Sequence, residues 1–135
     1  MTAIAIDASS LAKYILREEN WEKVRVYLLN EPYSLTLALA EVSNAIWKHC
    51  MLYKIVSHED AKIMFEALKK LGDVVVFEPF ERYLEDAIKI SMEEKVTIYD
   101  ALYLAQAGKI GYLLTSDEKQ WKIAKKMGIN AEFVE

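Results

Sequence analysis

The chain has 135 residues, 53% of them hydrophobic and 28% charged, with a formal net charge of −4 at pH 7. That length suits one domain spanning residues 1–135, with enough apolar content to bury roughly two-thirds of its unfolded surface and to exclude wholesale disorder. The lone Cys50 excludes an internal disulfide and a cysteine-rich zinc site, and the mild acidity argues against a nucleic-acid partner unless some acids are neutralised by a bound cation.

Short apolar runs alternate with longer segments of helical period. Ala3–Ile6 reads as a buried strand ending at Asp7, far short of the roughly 20 residues a membrane span needs. No signal-like segment is visible, so a cytoplasmic protein with no membrane contact is expected. Helices follow near Ser9–Arg17 and Trp21–Leu29, then a weaker strand at Tyr33–Leu35. One long helix is expected over Leu37–Tyr53 and another over His58–Leu71, leading to a strand at Val74–Phe77. Helices near Arg82–Glu93 and Ile98–Ala107 precede a strand at Tyr112–Leu114. A helix over Glu118–Met127 and a weaker strand at Ala131–Val134 complete the series. Ser57 with Asp60, and Thr97 with Asp100, match capping boxes, while Gly72, Gly108 and Gly128 stand where helices would end. Strands that are apolar throughout, separated by helices, point to an α/β fold with a mostly parallel sheet. In such folds ligands sit at the carboxyl ends of the strands.

Four acids interrupt segments that otherwise read as core. Asp7 ends the first strand, Glu41 lies within the apolar stretch Leu37–Ile46, Asp100 within Thr97–Ala105, and Asp117 just after Tyr112–Ser116. Taken singly, Asp7 and Asp117 suit helix caps and Asp100 the third position of a capping box. Glu41, flanked by Leu39, Ala40 and Val42 in mid-helix, has no capping role. An ionised carboxylate without a partner is costly in such places, and no lysine or arginine stands at helical pairing distance on the apolar side. Together the four suggest a shared cation, most simply Mg²⁺ or Mn²⁺, and a capping acid can also serve a metal.

Asn44 and Lys48 follow Glu41 on the same helical face, where Asn44 can meet a metal-bound water or a phosphate. Lys48 can reach a phosphate at the rim, although solvated surface is the commoner role for such a residue. Ser9, Thr115 and Ser116 can orient a water at the strand ends. His49 and His58 are not placed to activate a nucleophile beside the acids, and the four glycines form no phosphate-cradling loop.

The pieces Ile6-Asp7-Ala-Ser9, Ala40-Glu41-Val-Ser-Asn44-Ala, Tyr99-Asp100-Ala-Leu-Tyr-Leu-Ala105 and Leu114-Thr-Ser-Asp117 run in this order along the chain. With them the sequence resembles the PIN-domain nucleases, most closely the VapC toxins of prokaryotic toxin–antitoxin pairs. The resemblance implies a PIN-like three-layer α/β/α sandwich around a central sheet. It implies an Mg²⁺- or Mn²⁺-dependent endoribonuclease hydrolysing RNA phosphodiester bonds, with Asp7, Glu41, Asp100 and Asp117 as its catalytic and metal-binding acids. It also implies a homodimer and a small VapB-like antitoxin protein lying over the pocket.

A housekeeping RNA-processing PIN nuclease and a non-cleaving RNA- or protein-binding PIN module are the alternatives. A phosphoacceptor receiver or a haloacid-dehalogenase-type phosphatase fits poorly, because no acidic pair precedes Asp7 and Ser9 replaces the second Asp. Among Tyr14, Trp21, Trp47, Met51, Tyr53, Met64 and Phe65, most are expected in the core and some on a partner face. Lys13, Arg17, Lys48 and Lys54 are candidates for steering RNA.

Overall fold

The apolar runs pair into a five-stranded sheet, seen in a computed structural model that describes residues 2–135. Strands β1 (Ala5–Ile6), β2 (Tyr33–Leu35), β3 (Val76–Glu78), β4 (Tyr112–Thr115) and β5 (Asn130–Phe133) lie in the order β3-β2-β1-β4-β5. Every pairing is parallel, with Ala5 opposite Tyr33 on one side and Leu113 on the other. The expectation of a mostly parallel sheet is met throughout.

Among the described residues, seven α-helices join the strands: α1 (Ala8–Leu16), α2 (Trp21–Leu28), α3 (Thr36–Trp47), α4 (His58–Lys70), α5 (Leu84–Glu94), α6 (Ile98–Ile110) and α7 (Glu118–Lys126). The first two crossovers step from β1 to β2 to β3. The third, through α5 and α6, returns past β1 to place β4 on its far side. Parallel crossovers are right-handed, so α1–α4 cover one face of the sheet and α5–α7 the other. Contacts among α1–α4, and between α5 and α6, agree with this. The result is the three-layer sandwich.

Alternation along the strands feeds both layers. Ile6 and Leu114 join the larger core with Leu11, Leu35 and Val42, whereas Ala5 and Leu113 meet Leu104, Ala107 and Ala124 on the other side. Helix α6 is buried on every side from Ala101 to Ala107, which is why its composition is apolar all round rather than striped. The connections leave β1 and β4 in opposite directions, and this opens a crevice beyond the carboxyl ends of these two central strands.

Several boundaries differ from the sequence reading. The helix expected over Leu37–Tyr53 is α-helical only to Trp47, and Lys48–Leu52 forms a π-helical turn. A 3₁₀ turn at Phe80–Tyr83 precedes α5. Of the large apolar residues, Tyr14, Met64 and Phe65 pack on the core, while Trp47, Met51 and Tyr53 are exposed. Trp21 lies under the Arg17 guanidinium, 4.0 Å from its centroid.

Gly108 does not end its helix. Helix α6 continues to Ile110 and stops at Gly111, whose φ of 104° is strained for any residue with a Cβ. The two glycines should therefore respond oppositely to alanine. Gly111→Ala is expected to destabilise by about 1 kcal/mol through backbone strain alone, since its Cβ would meet nothing within 4 Å. Gly108→Ala, whose Cβ would rest 3.8 Å from Ile129 Cδ1, is expected to stabilise by up to about 1 kcal/mol through helix propensity. Urea midpoints of the two variants check the signs.

Candidate active site

Asp7 closes β1 and caps α1 with extended backbone, so its carboxylate is turned into the crevice beside β4. It is only 4% exposed. The Ser9 hydroxyl donates to its Oδ1 at 2.6 Å, the Ser10 N–H to the same oxygen at 3.2 Å, and the Thr115 hydroxyl to Oδ2 at 2.5 Å. These hydroxyls also bind the partner strand end. Thr115 Oγ1 accepts from the Asp117 N–H, Ser9 Oγ accepts from the Ser116 N–H, and the Ser10 and Ser116 hydroxyls lie 2.8 Å apart. Burial nonetheless pushes the Asp7 carboxyl up to about 6, against the three hydrogen bonds that favour its charge, and the charge of Asp117 adds to the rise.

Asp117 caps α7 and accepts the Gln120 N–H at 3.2 Å on Oδ1. Asp100 is the third residue of α6, its N–H bound to the Thr97 cap hydroxyl. Burial raises the Asp100 carboxyl, Asp117 raises it further, and the Lys119 ammonium opposes them. Glu41 projects from mid-α3 and is half-buried; the Tyr103 hydroxyl donates to its Oε1 at 2.6 Å. Burial raises Glu41 too, with Tyr103 opposing and Asp100 adding. Burial and Glu41 together hold the Tyr103 proton far above the ordinary phenol range. The acids thus sense one another in sequence, Asp7 to Asp117 to Asp100 to Glu41. Among the described residues, no ion pair involves any of the four.

The donor set is all hard oxygen, which suits Mg²⁺ or Mn²⁺. Among the described residues, however, no three acids stand close enough together to enclose an ion as they are arranged. Asp7 and Glu41 are each held by hydroxyls. The chemistry of the donors fits the ion. An apolar depression of about 490 Å³ lies elsewhere, lined by Leu39, Phe65 and Phe77 among others, and none of the four acids reaches it.

Asp7, Ser9, Thr115, Ser116 and Asp117 are joined by hydrogen bonds at the ends of β1 and β4, while Asp100 and Glu41 come within electrostatic reach of neighbouring acids without closing into one cluster. Asn44 and Lys48 do not join them: both are exposed on α3 and form no hydrogen bond with these groups. Lys13 is bound to the Glu19 carbonyl and Arg17 is stacked on Trp21, both toward the far end of α1 from Asp7. The Lys119 ammonium bears on Asp100, and this residue, with Tyr103 and Gln120, the sequence reading overlooked. Tyr103 and Gln120 lie three residues beyond Asp100 and Asp117, on the same helical face as those acids, whereas Lys119 at two residues carries no such signal.

The family model described as "PIN domain" matches residues 4–126. The chain is 32% identical to "Ribonuclease VapC3" of Pyrobaculum aerophilum, over 87% of this chain and 90% of that one. It is 28% identical to "Exonuclease VapC9" of the same organism, over 94% and 89% of the two chains. The crystal structure of PAE2754 from Pyrobaculum aerophilum superposes with a TM-score of 0.69 at 26% identity, covering 96% of this chain and 89% of that one.

The raised Asp7 carboxyl has a consequence for the metal-free protein. The folded state holds this proton more tightly than the unfolded chain, so its contribution to stability is greatest at low pH and is lost as pH rises through about 6. A rise from 3.8 to about 6 corresponds to on the order of 3 kcal/mol. In chelator, the protein is expected to be less stable at pH 7.5 than at pH 5. Asp7→Asn is expected to reduce that difference and to stabilise the protein at pH 7.5, as the Thr115 hydroxyl can accept from the new amide. Urea unfolding at both pH values would show it, and an unchanged pH dependence in the variant would refute it.

Proposed function

The chain belongs to the PIN-domain family, and on that footing we propose that it is a divalent-metal-dependent endoribonuclease, the toxin of a VapBC-type pair. The observation that supports the reading is that four acids, none with an ion-pair partner among the described residues, flank the carboxyl ends of the central strands and bear on one another's charge. RNA is the substrate named for the first relative, and water attack on a phosphodiester is the chemistry such acids serve.

Asp7, Asp100 and Asp117 would hold Mg²⁺ or Mn²⁺, with Glu41 beside them. When bound, the ion supplies charge to the scissile phosphate and acidifies an attacking water. The chain's own groups divide the remaining work. Ser9 and Thr115 fix the Asp7 carboxylate by spending their hydroxyl protons on it. Tyr103 holds one oxygen of Glu41 and leaves the other to accept a proton from water. Burial makes Glu41 a stronger base than an exposed carboxylate, closer to what general-base catalysis near neutral pH needs.

A VapB-like antitoxin segment over this crevice, a homodimer and action in the cytoplasm complete the proposal. The exposed Trp47, Met51, Leu52, Tyr53 and Ile55 support a protein contact at the end of α3. No described helix is long and apolar enough to cross a membrane.

The name of the second relative favours one other reading, attack from an RNA end. A circular RNA separates the two, since only an endonuclease opens it. We expect opening with Mn²⁺, none in chelator, and none with Asp100→Asn. The products should carry a 5′-phosphate and a 3′-hydroxyl, because water rather than the ribose 2′-hydroxyl attacks; 2′,3′-cyclic ends would sink this mechanism. Without RNA, Mn²⁺ at about a hundredfold excess over its dissociation constant should stabilise the fold by about 2.7 kcal/mol. An unchanged melting temperature would remove the shared metal pocket.

A further inference from the structure

Gln120 is only 3% exposed, a polar amide enclosed between α6 and α7. Its backbone N–H donates to Asp117 Oδ1 at 3.2 Å, and its side-chain Nε2 donates to the backbone carbonyl of Asp100 at 2.9 Å. One residue therefore grips both the cap of α7 and the first turn of α6, and each of these presents an acid.

Helix packing alone does not call for this arrangement. The Asp100 carbonyl lies inside an α-helix that supplies its own donor four residues on. The other end of the amide, Oε1, is buried without a hydrogen-bond partner among the described residues, a cost that an apolar side chain of similar size avoids. A buried amide that is half satisfied contributes little net stability. It does tie together two helix ends that each present an acid.

Resting on the reading that these acids hold a divalent ion, we infer that Gln120 is a positioning residue, setting the spacing of Asp100 and Asp117 through its hydrogen bond from α7 to α6. It touches neither the ion nor the RNA, and it acts through the two acids. Substitutions of such supporting groups typically weaken metal affinity by about tenfold to a hundredfold.

The test is Mn²⁺ binding by calorimetry, without RNA, on the wild type, Gln120→Met and Gln120→Leu. Both replacements keep the backbone N–H on Asp117 and remove only the link to Asp100. Mn²⁺ affinity is expected to fall by about tenfold or more in both. Their melting temperatures in chelator should stay at or above the wild-type value, and KM for RNA at saturating Mn²⁺ should not change. Wild-type affinity in either folded variant would overturn the inference. So would unfolding of both variants in chelator, because the amide would then be a requirement of the core. If the wild type itself takes up no Mn²⁺, the metal reading fails first, and the wild-type titration alone reveals that.

Discussion

Asp7 is a carboxylate at the end of a central strand, 4% exposed, with hydroxyls and an amide around it and no ion pair among the described residues. Much of the surrounding sequence can be understood as a response to that. Ser9, Ser10 and Thr115 each donate to it, and two of these groups also bind the end of β4. The same bonds that make the charge tolerable therefore lock the two central strands together at their carboxyl edge. A hydroxyl cluster here serves the fold and the site at once, and the two roles cannot be separated by removing one group.

Topology decides which acids can join Asp7. The chain leaves β1 toward β2 and leaves β4 toward β5, so only at this point do the connections part and leave a gap. Asp117 comes with β4. Asp100 arrives at the head of α6, which must start near the carboxyl edge in order to run back into β4. Glu41 arrives because α3 starts at the carboxyl end of β2, next to β1. Three separate crossovers thus deliver one acid each to the place where Asp7 already stands.

The sequence made the acids legible because each breaks an apolar pattern, and it made the central strands legible because the short apolar runs Ala5–Ile6 and Tyr112–Leu114 stand out between helices, whereas Asn130–Phe133 carries two polar residues and reads only weakly as a strand. Other features were hidden for identifiable reasons. Gly108 and Gly111 are alike in sequence, and only backbone φ tells the helix interior from its end. The π-turn after Trp47 keeps the helical spacing of apolar residues, so periodicity alone could not mark it. Asn44 shares the face of Glu41 by spacing, yet α3 turns that residue to solvent one turn later. Tyr103 and Gln120 look like core residues because both are buried; their hydrogen bonds become visible only when α6 meets α3 and α7.

Three of the four acids stand in the first turn or at the cap of a helix, where the backbone carries about half a positive charge. Each such placement is worth roughly 0.3–1 kcal/mol at the surface and up to about 2 kcal/mol when partly buried. The cost of desolvating a carboxylate is several kcal/mol per ion, and the mutual repulsion of the acids adds to it. Helix ends and hydroxyls therefore lessen the penalty without cancelling it, and the raised carboxyls of Asp7, Glu41 and Asp100 record the remainder. Glu41, in mid-helix, has no dipole to help it and relies on one phenol. A site assembled only for stability would have replaced these acids with apolar residues or paired them with lysines. Carboxyls raised by burial and by one another at this crevice are the physical basis on which Mg²⁺ or Mn²⁺ is proposed as their counter-charge.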